Sequence, residues 1–261
     1  MLLDLSGRHA LVGGGSQGIG HAAALELARL GAAVTVIGRD AERLAATLAA
    51  LQAISPAAHG VLQADYADRV ALEHIVGDCV GARPVHILIN NTGGPPPGPI
   101  ALASEAQFLD TFGQHLLCNQ LLTRLCLPGM RAAGYGRIIN VISTSVKEPI
   151  KGLGVSNTIR GAVASWAKTL ATELAPEGIT VNNVLPGYTR TARLDGLIAG
   201  KVQQSGASAE EVARGMAAGV PMGRFADPVE VAAAIAFLAA PAASYITGIS
   251  VPVDGGRTLA L

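Results

Sequence analysis

Short apolar runs alternate along the chain with longer stretches in which apolar residues return every three or four positions. The short runs are Ala10–Val12, Val34–Ile37, Gly60–Gln63, Val85–Asn90, Arg137–Ile142, Thr180–Val184 and Ile249–Val253. They are mostly apolar at consecutive positions, as strands buried on both faces are. Strands alternating with helical stretches predict an α/β fold: one doubly wound domain with a seven-stranded parallel sheet covered by helices on both faces. A long apolar helix is expected from Leu109 to Met130, through Leu116, Leu117, Leu121, Leu122 and Leu125, and a second through Val163, Trp166, Leu170 and Leu174. Apolar residues wrap more than one face of each. One sheet cannot cover them all, which predicts a homodimer or homotetramer.

No internal repeat, low-complexity tract or linker divides the chain, so residues 1–261 are expected to form a single domain. Pro95-Pro96-Pro97-Gly98-Pro99 reads as a rigid loop within it. The uncharged run from Val231 to Val253 is interrupted by Pro241, Ser244, Thr247 and Gly248. A helix followed by a buried strand accounts for it better than a membrane span.

Composition narrows the partners. Half of the 261 residues are apolar, 15% are charged and the formal net charge is zero. That leaves no electrostatic footprint for nucleic acid or an anionic membrane. Cys79, Cys118 and Cys126 lack C-x-x-C spacing, so neither a disulfide framework nor a metal site is indicated. A reducing cytoplasm suits this cysteine usage, and Met1-Leu2-Leu3-Asp4 opens no secretion-signal pattern.

Chemistry concentrates where strands end. Leu11-Val12-Gly13-Gly14-Gly15-Ser16-Gln17-Gly18-Ile19-Gly20 closes the first strand in a glycine-rich turn and opens a helix. Glycines let the backbone approach a ligand, and N–H groups at a helix start attract an anion such as a dinucleotide pyrophosphate. The second strand ends Gly38-Arg39, with glycine where an acid would accept from ribose hydroxyls. An arginine fork suits a 2′-phosphate, so NADP(H) is favoured, with NAD(H) possible. Asp65-Tyr66 ends the third strand beside the same crevice, although an aspartate there also suits capping of the helix near Asp68. Asn90-Asn91-Thr92-Gly93-Gly94 follows the fourth.

The glycine turn resembles the T-G-x-x-x-G-[IA]-G turn of the short-chain dehydrogenase/reductase family, with Gly13 in place of Thr. Asn90-Asn91-Thr92-Gly93 resembles its N-N-A-G, with Thr92 in place of Ala. Gly136–Ser143, Ala175–Asn182 with Pro186-Gly187, Pro221–Arg224, Asp227–Ala232, Phe237–Ala239, Ser244–Gly248 and Val253–Gly256 extend the likeness over essentially the whole chain, which resembles the family's classical type and its 3-oxoacyl-ACP reductases. The resemblance implies a Rossmann-type domain and a cofactor held by Gly14, Ser16, Gln17, Gly18, Ile19, Gly20, Arg39, Asp65, Tyr66, Asn91, Gly93, Arg160, Pro186, Gly187 and Thr189. It places Asp65 at the adenine edge and the two leucine-rich helices in a dimer interface.

The same resemblance exposes a break. Ser143 falls on the family's catalytic serine, but its Tyr-x-x-x-Lys pair is replaced by Ser156 and Arg160. None of the four tyrosines has a lysine four residues on, so no shift of register restores the motif. The family's helix asparagine falls on His115, with Asn119 one turn later as the alternative. A serine hydroxyl is too weak an acid to replace a phenol, and arginine does not titrate usefully, though its fork can hold ribose hydroxyls. Tyr188, just after Pro186-Gly187, and His115, if it titrates near neutrality, are the candidate proton donors. Lys147 and Lys151 lie on the loop between Ser143 and Ser156, within range of an anionic substrate, and Arg190 to Gly219 reads as a lid over the substrate. For Tyr188 alone packing is a sufficient role, for His115 a core hydrogen bond, and for the lysines solvation. The expected function is an NADP(H)-dependent oxidoreductase acting on a carbonyl or alcohol through a non-standard proton donor. A lyase, isomerase or cyclase without net redox change, and a non-catalytic nucleotide-binding homologue, are the alternatives.

Overall fold

The computed structural model of the protein describes residues 2–260. Seven strands form one parallel sheet in the order β3-β2-β1-β4-β5-β6-β7. They are β1 (His9–Val12), β2 (Ala33–Gly38), β3 (Gly60–Gln63), β4 (Ile87–Asn90), β5 (Gly136–Val141), β6 (Ile179–Pro186) and β7 (Ser250–Val253). Every run expected to be a strand is one, with ends shifted by at most two residues. β3 and β7 are the exceptions in burial: they are the sheet's two edges, half-exposed rather than buried, because a neighbouring strand covers only one side of each.

Alternation within the central strands sorts side chains to two cores. Ala10, Val12, Ile87, Ile89 and Ile139 pack against helices α1 (Gly18–Arg29) and α9 (Pro228–Ala239). Leu11, Leu88 and Ile138 face the opposite way, toward α3 (Arg69–Ala82), α5 (Cys118–Ala133) and α6 (Gly154–Leu174). Burying both faces suits the nearly continuous apolar strands. The exception is a polar row across the sheet. Asn90 Nδ2 donates to Asn140 Oδ1 at 2.9 Å, Asn140 Nδ2 to Asn183 Oδ1 at 3.0 Å, and Asn183 Nδ2 to Ser250 Oγ at 3.1 Å. These residues are register partners on four adjacent strands, so each buried amide finds its neighbour and the pairing is locked.

The helix expected over 109–130 is interrupted. Glu105–Phe112 forms α4, Gly113–Leu117 winds as a single π-helical turn, and α5 follows. His115 lies in this wider turn and is buried. Among the described residues no helix is long and apolar enough to cross a membrane. Helices α2 (Ala41–Ile54), α7 (Ala192–Ser205) and α8 (Ala209–Ala218) complete the fold, the last two occupying the stretch expected to cover the substrate.

Candidate active site

The chain order of the strands reverses between β1 and β4, and the carboxyl ends of the strands open there into a crevice of about 600 Å³. In open α/β sheets that is where ligands sit. Gly14 and Gly18 both have left-handed backbones, at φ +53° and +57°, which glycine adopts without strain. A Cβ on Gly20 would collide with the Gly14 carbonyl oxygen. Asn91 Nδ2 donates to the carbonyls of Gly13 and Gly14 at 3.1 and 3.3 Å and fixes the turn from β4. Helix α1 then starts with no acidic residue in its first turn and no side chain capping it. Backbone N–H groups thus face the crevice with a favourable dipole, an arrangement that fits a pyrophosphate.

At the adenosine end, Arg39 is exposed and stands 3.7 Å from Asp65 Oδ2. Asp65 Oδ1 accepts from the Ala67 N–H at 2.9 Å, so it caps a short turn. The helix cap falls instead to Asp68, which accepts from the Ala71 N–H at 3.0 Å. Tyr66 is buried, and burial pushes its phenol above the ordinary tyrosine range. Its hydroxyl fills the space that a side chain at position 13 would need, which accounts for Gly13 where the resemblance leads one to expect threonine.

At the other end, β5 leads to Ser143, whose Oγ accepts from the Ser145 N–H at 3.1 Å. Ser156 and Arg160 lie one turn apart in α6. Arg160 donates from Nε to Ser156 Oγ and from Nη1 to the Val141 carbonyl, each at 3.2 Å. Both serines therefore accept from a fixed donor and have their own hydroxyl protons left to give. Burial, with the nearby charge of Arg193, draws the Arg160 guanidinium down to about 10, so it stays charged at neutral pH. Tyr188 packs edge-on against Phe225 with ring centroids 6.0 Å apart, and the Arg257 guanidinium lies 4.7 Å over its face.

Of the residues expected to form the site, Gly14, Ser16, Gln17, Gly18, Ile19, Arg39, Asp65, Tyr66, Asn91, Gly93, Ser143, Ser156, Arg160, Pro186, Gly187, Tyr188 and Thr189 all line this one crevice. Gly20 is behind the turn, where it permits close packing. His115 is beneath the crevice wall, hydrogen-bonded to the Gly93 backbone. Burial first, then the Arg160 charge, pull it down to about 3. It is neutral at physiological pH, which corrects the expectation of a donor titrating near neutrality. Asn119, Lys147 and Lys151 do not line the crevice. Gln114, Arg193 and Arg257 do, and no motif in the sequence marked them. Arg193 comes in on the first turn of α7, and Arg257 on the segment after β7.

An open parallel sheet with a glycine turn at its switch point defines a Rossmann-type dinucleotide-binding domain. Comparison with known proteins narrows this class. The family model described as enoyl-(acyl carrier protein) reductase matches residues 14–258. The chain belongs to the short-chain dehydrogenase/reductase family. It is 32% identical to an uncharacterized oxidoreductase of Mycobacterium tuberculosis, covering 99% of this chain and 96% of that one. It is 30% identical to the NADPH-dependent reductase BacG of Bacillus subtilis, covering 97% and 98%. The crystal structure of L-sorbose reductase from Gluconobacter frateurii, complexed with NADPH and L-sorbose, superimposes with a TM-score of 0.93 at 28% identity and full coverage of both chains.

Proposed function

We propose that the protein is an NADP(H)-dependent oxidoreductase that interconverts a carbonyl compound and its alcohol without the family's tyrosine–lysine pair. The observation that carries this reading is the continuity of one crevice from Arg39, through the glycine turn, to Ser143, Ser156 and Arg160. Relatives named as NADPH-dependent reductases support it. NADP(H), when bound, supplies or accepts the hydride.

The chain's own groups do the rest. The N–H groups of the glycine turn hold the pyrophosphate, and Arg39 takes the 2′-phosphate in place of its weak surface pairing with Asp65. Ser143 and Ser156 each give a hydroxyl proton to the carbonyl oxygen as a hydrogen bond. Arg160 behind Ser156 stabilises the negative charge that grows on that oxygen, and preorganised donors of this kind act strongly where water is excluded. Neither serine delivers a proton readily, and neutral His115 has no spare one. Tyr188 lines the same crevice and serves as the proton donor. Helices α7 and α8 cover the substrate, anchored through Leu194 and Met216 on Phe225. Leu121 and Leu125 on α5, and Trp166 and Leu170 on α6, are only half-buried in one chain, and a second copy of the protein completes their cover as a homodimer or homotetramer.

Calorimetric titration with NADPH and NADH tests the cofactor assignment. NADPH is expected to bind more tightly, and Arg39→Ala to remove about 1–3 kcal/mol of that preference. Equal wild-type affinities for the two dinucleotides would overturn it.

A further inference from the structure

The reaction end of the crevice holds more positive charge than a neutral carbonyl compound calls for. Arg160, Arg193 and Arg257 all line the crevice. Among the described residues the one carboxylate on its wall, Asp65, is at the adenosine end beside Arg39. Arg160 and Arg193 converge. The Nη2 atom of each lies 3.5 Å from the point a Cβ on Gly94 would occupy, and glycine leaves that point open. Both guanidiniums are anchored by neutral groups alone: Arg160 by Ser156 Oγ and the Val141 carbonyl, Arg193 by the Pro95 carbonyl at 2.7 Å. Among the described residues neither pairs with an aspartate or glutamate. Like charges held this close without a counter-ion are unfavourable, and an anion between them reverses the sign of the interaction.

We infer that the substrate carries a carboxylate, clamped by Arg160 and Arg193 over Gly94. Guanidinium N–H groups bind a carboxylate strongly, and Nη2 groups converging from two arginines fix its orientation. The guanidinium that reaches Ser156 through Nε presents Nη2 to the clamp. The reacting carbonyl, reached through the Ser156 hydroxyl, and the carboxylate, reached by Nη2, are therefore served by neighbouring nitrogens of one guanidinium. That proximity favours a short oxo acid, of which 2-oxo and 3-oxo acids are the simplest, or the matching hydroxy acid. The inference rests on the proposed chemistry at Ser143 and Ser156. In the reducing direction hydride adds to the carbonyl carbon, a proton adds to its oxygen, and the carboxylate passes through unchanged.

The test is calorimetric titration of the NADPH-saturated protein with pyruvate and acetoacetate, each beside its methyl ester. At least one acid is expected to bind about tenfold or more tightly than its ester. Arg193→Gln is expected to erase that ratio while NADPH affinity stays within about twofold, and Arg193→Lys to restore part of it. Acids binding no better than esters, or a ratio that survives Arg193→Gln, would overturn the inference. So would a matching loss of NADPH affinity in Arg193→Gln, which would assign this arginine to the cofactor's own phosphates. The two readings fail separately. Acid-selective binding that never consumes NADPH leaves the clamp standing and removes the oxidoreductase reading. Esters reduced as fast as acids remove the clamp and leave that reading intact.

Discussion

His9 begins β1 with only 2% of its surface exposed. Its Nδ1 lies 3.1 Å from the Pro84 carbonyl and its Nε2 2.8 Å from Thr35 Oγ1. A carbonyl only accepts, so Nδ1 carries the proton and Nε2 accepts from the threonine hydroxyl. Arg83 donates to the same hydroxyl at 3.2 Å. A second proton on His9 would thus be buried, beside a cation, in a network arranged for the neutral ring. Burial first, and then Arg83, draw His9 from 6.5 down to about 4. With the folded value depressed, the unfolded chain takes up the proton first, so stability falls as pH drops from about 6.5 to about 4. At about 1.4 kcal/mol per pH unit, the loss through this residue is about 3 kcal/mol. His115 is lowered for the same leading reason and adds to the fall. Urea denaturation followed by circular dichroism between about pH 7.5 and pH 4.5 reads the slope directly. His9→Gln should lower stability near neutrality by roughly 1–2 kcal/mol, through the altered hydrogen bonds, and flatten the acid slope. A variant that keeps the full wild-type slope would refute the assignment, as would a wild type equally stable at both ends.

Further substitutions probe the crevice. Tyr188→Phe should lower turnover by about 10²–10⁴ with NADPH affinity nearly unchanged, and His115→Asn should cost less. Wild-type steady-state rates in Tyr188→Phe would reduce that tyrosine to packing. Gly13→Thr should destabilise by about 1–3 kcal/mol, because its Cβ would meet the Tyr66 hydroxyl and come within 2.9 Å of the Asn91 carbonyl oxygen. Adding Tyr66→Val should return part of that loss in thermal unfolding, whereas strictly additive losses would show that the two positions do not compete for one space.

Much of this architecture is legible in the residues alone because it is local. Seven apolar runs bounded by turn formers become seven strands, and the glycines at 14, 18 and 20 signal a turn whose backbone only they tolerate. Counting from the flanking strands picks out Ser156 and Arg160, and the structure joins these two by a hydrogen bond. What stays hidden is non-local. Helical periodicity does not reveal the π-helical turn at Gly113–Leu117, since one widened turn scarcely disturbs an apolar repeat. Yet His115 sits buried in that turn, and burial with the Arg160 charge suppresses its basicity. The asparagine row exists only once four strands are in register. Tyr66 lines the crevice as expected, but only the fold shows its hydroxyl filling the gap left by Gly13. Arg193 and Arg257 come from the covering helices and the C-terminal segment, where no pattern distinguishes them from solvated arginines.

The central claim is that hydride chemistry survives without the tyrosine–lysine pair. It is tested most directly by supplying NADPH deuterated at the transferring carbon of its nicotinamide together with an oxo-acid panel. Mass spectrometry of the products then locates the label. Deuterium on the new carbinol carbon, lost together with turnover in Ser156→Ala, is the predicted result. Product formed without label, or no turnover of any panel member by protein that demonstrably binds NADPH, would contradict the account.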